Sequence, residues 1–168
     1  MIQKKICFIG ASAVGKTSLI RRYVEGIFSD KYLTTIGVKI DKKLVSTKNG
    51  DIQLLIWDLE GTDQFCGFQT RYLKGASAYV LVIDQSRPSS FSDALDIYTL
   101  ASEATSVPAF LVLNKSDLPN QLLDSHLATL KSMPFFRQCN TSAKSGDNVE
   151  ALFSDIANIL IEQGVPHG

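Results

Sequence analysis

Residues 10–17 read Gly10-Ala11-Ser12-Ala13-Val14-Gly15-Lys16-Thr17: two glycines separated by four residues, then a lysine and a hydroxyl side chain. This pattern suits an anion of the phosphate type. The apolar run Lys5-Ile6-Cys7-Phe8-Ile9 before it reads as a buried strand, and Ser18-Leu19-Ile20-Arg21-Arg22-Tyr23-Val24 after it reads as a helix. A turn between a strand and a helix N-terminus gathers several backbone N–H groups around one anion. Gly10 and Gly15 allow a tight turn and a close approach, and the segment Ser12, Ala13, Val14, Gly15, Lys16, Thr17 and Ser18 would form the cradle. Lys16 would supply a point charge to the outer phosphates, and Thr17 a hydroxyl for Mg2+. The motif indicates a nucleotide without naming its base.

Other loops add to this. Asp58 follows the strand-like run Leu54-Leu55-Ile56-Trp57, and Gly61 lies three residues on. A carboxylate at a strand's end can hold Mg2+ through its water shell, and a nearby glycine N–H can meet the last phosphate. Asn114-Lys115-Ser116-Asp117 closes the run Phe110-Leu111-Val112-Leu113. The Asp117 carboxylate can accept hydrogen bonds from N1–H and the 2-amino group of guanine, whereas adenine has neither donor there. Leaving a buried polar group unpaired costs about 1–3 kcal/mol, so a site built on such bonds rejects the wrong base. Asn114 would bond the base edge and tie the loops together, and the Lys115 stem would pack on sugar and base. In Thr141-Ser142-Ala143-Lys144 the Ala143 N–H would meet the guanine 6-oxo group and Lys144 would cover the ring. Loops at successive strand ends are where open α/β sheets bind ligands.

The elements that must position these loops are legible as alternating patterns. Residues 6–9, 79–83 and 110–113 are short, continuous apolar runs, as expected for parallel strands buried on both faces. Helical stripes follow at Phe91, Leu95, Tyr98 and Ala101, at Leu122, Leu123, Leu127 and Leu130, and at Val149, Leu152, Phe153, Ile156 and Leu160. Residues 38–47 and 52–57 are strand-like with Asn49-Gly50 between them, a hairpin signal. The expected fold is a three-layer α/β sandwich with a phosphate loop. Its sheet is six-stranded and mostly parallel, with one antiparallel edge strand and about five helices. Residues 26–37 and 59–75 fit neither pattern, and long irregular stretches in a compact domain are usually functional.

Composition narrows the class. The 168 residues suit one domain over residues 1–168 and carry 17 basic and 17 acidic side chains. That balance gives no pull toward nucleic acid or an anionic membrane. No apolar run is long enough to span a bilayer. Cys7, Cys66 and Cys139 lack metal-ligand spacing; Cys7 and Cys139 read as core thiols in a reducing cytoplasm. His126 and His167 have no clustered partners and read as surface residues. The final Gly164-Val165-Pro166-His167-Gly168 has no cysteine for a prenyl group, so no lipid anchor is expected of this sequence, although a shortened chain would have lost one.

Together these motifs resemble the Ras superfamily of small GTPases, and most closely its Rab branch. The resemblance covers nearly the whole chain and is strongest in Tyr32-Leu33-Thr34-Thr35-Ile36-Gly37-Val38 and Arg71-Tyr72-Leu73-Lys74-Gly75-Ala76. It implies a GTP/GDP switch with Mg2+, in which residues 26–37 are switch I and residues 59–75 switch II. By the same resemblance Thr35 would coordinate Mg2+ and the γ-phosphate, Phe28 would pack on the guanine edge, and Tyr32 would close over the phosphates. Lys16, Thr35, Gly61 and the residue at position 62 would make up the catalytic group. Ile40, Trp57 and Tyr72 match the aromatic-rich patch that meets effectors, with Ile40 in place of Phe; packing between strands and switch II is the competing explanation. Effectors, exchange factors and GTPase-activating proteins are the implied partners of a cytoplasmic monomer.

One segment departs from the family. Where the family reads Asp-x-Ala-Gly-Gln, this chain reads Asp58-Leu59-Glu60-Gly61-Thr62. Thr62 replaces the glutamine that orients the attacking water, and a threonine hydroxyl is too short to bond both water and γ-phosphate in the same way. Glu60 replaces a small alanine; it would repel the phosphate unless it turned to solvent or met a cation. Slow intrinsic hydrolysis is the expectation, with Asp63, Gln64 or a partner's arginine as possible substitutes. Two other readings stay open: a GTP-loaded scaffold without useful hydrolysis, and a small-molecule kinase. Asn114 to Asp117 speaks against the kinase, as does the lack of an acceptor pocket and lid in the pattern.

Overall fold

The computed structural model describes residues 2–26, 38–59 and 70–164. The chain runs β1 (Ile2–Ile9), α1 (Lys16–Glu25), β2 (Val38–Thr47), β3 (Gly50–Leu59), a 3₁₀ turn (Thr70–Leu73), β4 (Ala78–Asp84), α2 (Ser89–Ala104), β5 (Ala109–Asn114), α3 (Asp124–Ser132), β6 (Arg137–Asn140) and α4 (Val149–Gly164). The strands form one sheet in the order β2-β3-β1-β4-β5-β6. All pairings are parallel except β2 with β3. Four α-helices and the 3₁₀ turn lie among the described residues, against about five helices expected.

Apolar side chains alternate between the sheet's two faces. Ile6, Phe8, Ile52, Leu54, Ile56, Val80 and Val82 join Leu19, Tyr23, Phe153 and Ile156 from α1 and α4. Cys7, Ile9, Tyr79, Leu81, Ile83 and Leu111 join Phe91, Ala94 and Ile97 of α2. On the first face Phe153 stacks with two rings, Tyr23 at 3.9 Å and Phe8 at 5.4 Å between centroids. Strands β4 and β5 are buried along their whole length, which is why they read as continuous apolar runs.

Several expectations shift in detail. In α2, Ala94 and Ile97 are buried with Phe91 and Ala101, while Leu95 and Tyr98 flank this face half-buried. Leu122 and Leu123 precede α3, and Leu123 is exposed, so that stripe is shorter than its leucines suggest. The hairpin turn is Lys48-Asn49, one residue earlier than Asn-Gly, because Thr47 pairs with Gly50. The Thr47 hydroxyl holds this turn, accepting from Asn49 N–H and donating to the Gly50 carbonyl. Cys139, on the short edge strand β6, packs against the core but is only half-buried, whereas Cys7 is a fully buried core thiol.

Burial pushes the Cys7 thiol up from 9.0 to about 11, against a small opposing effect of Lys5. Burial likewise pushes Tyr23 and Tyr79 from 10.0 to about 12. A raised value means that the fold favours the neutral form. The contribution is therefore complete below pH 9 and is lost as pH climbs through about 11. Denaturant unfolding should show stability falling over that interval. Cys7→Ala, though less stable at neutral pH, should lose less of it; an identical slope would contradict this assignment.

Candidate functional site

The loop between β1 and α1 sits at the carboxyl ends of the parallel strands. Gly10 has φ 152° and Gly15 has φ 98°. A Cβ on Gly10 would stand 2.5 Å from the Val82 carbonyl oxygen, and one on Gly15 would collide with the Asn114 amide nitrogen. The neighbouring strands therefore press against the loop so closely that only glycine fits.

The carbonyls of the loop are held in succession. Lys16 Nζ donates to the Gly10 carbonyl at 3.1 Å and the Ala11 carbonyl at 2.9 Å. Arg87 Nη2 donates to the Ser12 carbonyl at 2.5 Å. Lys115 Nζ donates to the Ala13 carbonyl at 3.2 Å, and Asn114 Nδ2 to the Val14 carbonyl at 2.9 Å. In a trans peptide the N–H lies opposite the C=O, and no peptide here is cis. The N–H groups of Ala13, Val14 and Gly15 accordingly point away from the side occupied by Arg87, Lys115 and Asn114. Ordered N–H groups next to a helix N-terminus form a concave anion acceptor.

The other loops are bonded into the same structure. Thr141 Oγ1 donates to Asn114 Oδ1 at 3.1 Å, and the Ser116 N–H donates to the Thr141 carbonyl at 2.9 Å. Ser142 Oγ donates to Asp117 Oδ1 at 2.8 Å. Ser142 and Ala143 are buried, while Asp117 and Lys144 are exposed. Arg22, at the far end of α1, donates to the Lys144 and Ser145 carbonyls at 3.1 and 3.3 Å. On the other side, the Thr17 hydroxyl donates to Asp58 Oδ2 at 2.5 Å. A hydroxyl and a carboxylate are hard oxygen donors that fit Mg2+, which takes few protein ligands and completes its shell with phosphate oxygens and water.

Residues 12–18, Asp58, Asn114, Lys115, Asp117 and residues 142–144 are thus brought to one rim of the sheet. Phe28, Tyr32, Thr35, Glu60, Gly61, Thr62, Asp63, Gln64 and Cys66 lie outside the described residues. Ile40 and Trp57 face each other across β2 and β3, and Trp57 and Tyr72 are 6.4 Å apart between ring centroids. Ile40 is 49% exposed, whereas Trp57 and Tyr72 are half-buried and pack on the core.

Sequence reading missed Asp84 and Arg87. Asp84, buried at the end of β4, forms an ion pair with Lys115 at 2.9 Å and accepts from Ser86 N–H and Oγ. The available signal was positional: Asp84-Gln85-Ser86-Arg87 follows the most continuous apolar strand of the chain, at the rim where ligands bind.

Two non-glycine residues, Ala13 and Lys115, have φ 64°. The left-handed region costs a residue with a Cβ about 1–2 kcal/mol. Ala13→Gly should raise folding stability by about 1 kcal/mol and the melting midpoint by a few degrees. An unchanged or lower midpoint would show that the loop carries no such strain.

The chain matches the family model described as "Ras family" over residues 5–162. It is 32% identical to the Ras-related protein SEC4 of Candida albicans over 168 residues, covering 96% of this chain and 79% of that protein. It is 36% identical to the Ras-related protein Rab-32B of Dictyostelium discoideum, covering 94% of this chain and 64% of that protein. With the Ras-related protein Rab7 of Drosophila melanogaster the identity is 32%, covering 94% and 80%. A nucleotide-type loop, a mixed six-stranded sheet and relatives that match nearly the whole of this chain agree: the chain belongs to the Ras family, as a Rab-like small GTPase of the GTP-binding switch type.

Proposed function

We propose that this chain forms one domain that binds guanine nucleotide with Mg2+ at the rim described above, hydrolyses GTP slowly without help, and signals through the segments around residues 26–37 and 59–75. The observation that carries the reading is the succession of held carbonyls from Ser12 to Val14, which turns the N–H groups of Ala13, Val14 and Gly15 to one side. Residues 12–18 would bind the phosphates. Thr17 and Asp58, with Thr35, would hold the Mg2+, which supplies charge neutralisation to the phosphates when bound. Asp117, oriented by Ser142, would read the guanine edge, Asn114 and Ala143 would complete that contact, and Lys115 and Lys144 would flank the ring. Phe28 and Tyr32 would cover the base edge and the phosphates.

The catalytic group would be Lys16, Thr35, Gly61 and Thr62. Thr62 would not hold the attacking water as a glutamine does, and Glu60 would bring a carboxylate toward the phosphate unless it turned to solvent. These two residues also favour a second reading, a GTP-bound scaffold without useful turnover. The placement of Ile40 opposite Trp57, and of Trp57 beside Tyr72, supports a docking patch for effectors, and exchange factors and GTPase-activating proteins are the expected regulators. No helix among the described residues is long and apolar enough to cross a membrane. A cytoplasmic monomer acting through protein partners is the proposed setting.

Asp117→Ala should weaken GDP binding about 100-fold or more, the loss of two hydrogen bonds to a charged acceptor. Competition of guanine against adenine nucleotides on the unaltered chain should favour guanine strongly; equal competition would overturn the base assignment. Thr62→Gln should raise single-turnover GTP hydrolysis roughly 10–1000-fold, the usual scale of a positioning contact in phosphoryl transfer. No gain, with the unaltered chain already turning over as fast as its glutamine-bearing relatives, would refute slow hydrolysis. No turnover in any variant, even with cell lysate, would favour the scaffold.

A further inference from the structure

Arg87 lies in the turn between β4 and α2, 75 residues from the carbonyl of Ser12 that it holds. Its backbone is fixed on both sides. The Arg87 N–H donates to the Asp84 carbonyl at 3.1 Å, and the Arg87 carbonyl accepts from Ser90 N–H at 3.0 Å and from Ser90 Oγ at 2.8 Å. The side chain is only half-buried, yet Nε is shielded from solvent and has no hydrogen-bond partner among the described residues. A buried guanidinium N–H without an acceptor is costly, so its retention beside a phosphate-type loop needs an explanation.

The charges around it are unequal. Asp84, the buried carboxylate of the same turn, is taken by Lys115 at 2.9 Å. Arg87 forms no ion pair with a carboxylate among the described residues. Lys115 therefore reaches the loop as half of a neutralised pair, whereas Arg87 brings a full positive charge to it. An arginine remains charged at any working pH and has five donors, of which this one uses a single Nη hydrogen on Ser12.

We propose that Arg87 is a positioning residue for the nucleotide, and that its uncompensated charge on the phosphate loop sets a preference for the triphosphate over the diphosphate. This inference rests on the nucleotide-binding reading above. The mechanism has two parts. Through Ser12, Arg87 fixes the first half of the loop in its anion-accepting form. Through its charge it stabilises whichever occupant is more negative, because a fixed cation interacts more strongly with a greater charge. Paired with slow turnover at Thr62, this would hold the resting chain in its GTP form longer than either feature alone.

The test measures dissociation of fluorescent GDP and of a fluorescent non-hydrolysable GTP analogue, in Mg2+ buffer, from the unaltered chain and from Arg87→Ala, Arg87→Gln and Arg87→Lys. Arg87→Ala should release both nucleotides faster, because the Ser12 carbonyl is freed, and the GTP analogue about threefold or more beyond GDP, because the charge is lost. Arg87→Gln keeps a donor for Ser12 without the charge and should lose the preference for the triphosphate without the acceleration common to both nucleotides. Arg87→Lys keeps the charge and should retain most of the preference. Equal acceleration of both nucleotides, full retention by Arg87→Gln, or no change in any variant would each overturn the proposal while leaving nucleotide binding intact. Binding of neither nucleotide by the folded, unaltered chain would overturn the nucleotide reading itself. Thermal unfolding of each nucleotide-free variant separates loss of fold from loss of preference, and should Arg87→Ala fail to fold, Arg87→Gln and Arg87→Lys carry the comparison.

Discussion

The structure depends on the orientation of five peptide groups. Between Gly10 and Val14 each carbonyl is bonded to a cationic or amide donor, and the donors for the last three come from the ends of β4 and β5. Planar trans peptides leave no independent choice for the N–H groups, so bonding one side of the loop orients the other. The sheet exists in the order that makes this possible. β1 lies between β3 and β4, which puts the loop after β1 beside Asp58 on one side and beside Asp84 and Asn114 on the other. The alternating core on both faces then fixes strand register, and with it where each of these side chains emerges.

The polar network around the loop is continuous rather than a set of separate contacts. Asn114 touches both the loop and Thr141, and through the loop after β6 it is linked to Ser142 and Asp117. Arg22 then joins that loop to α1, the helix that begins with Lys16 and Thr17. A ligand bridging the loops would therefore meet elements already tied together, so little ordering cost would fall on binding. The left-handed Ala13 and Lys115 lie within this network, where neighbouring bonds sustain conformations that an isolated chain would avoid.

Most of this was legible in the residues, for physical reasons. The phosphate loop could be read because its glycines are demanded by close backbone approach, now visible as the Val82 carbonyl and Asn114 amide crowding Gly10 and Gly15. β4 and β5 could be read because both faces are covered, which forces an unbroken apolar run. The stripes in α2 and α3 were read less accurately. A leucine beside a helix looks the same in sequence whether it faces the core, as Leu122 does, or solvent, as Leu123 does. Arg87 is marked only by its position after β4, because its partner is a backbone carbonyl 75 residues away, which leaves no pattern in side-chain type or spacing. The role of Glu60 and Thr62 belongs to residues outside those described and rests on their chemistry alone.

The central claim is that three loops at one rim of the sheet converge on a single guanine nucleotide. Amide chemical-shift mapping of the isotopically labelled chain, on addition of GDP with Mg2+ and separately ADP with Mg2+, tests it most directly. GDP should move the amides of residues 13–18 together with those of Asp117, Ala143 and Lys144, and ADP at equal concentration should leave the last three unmoved. Absence of any GDP-dependent shift, or shifts clustered away from this rim, would contradict it.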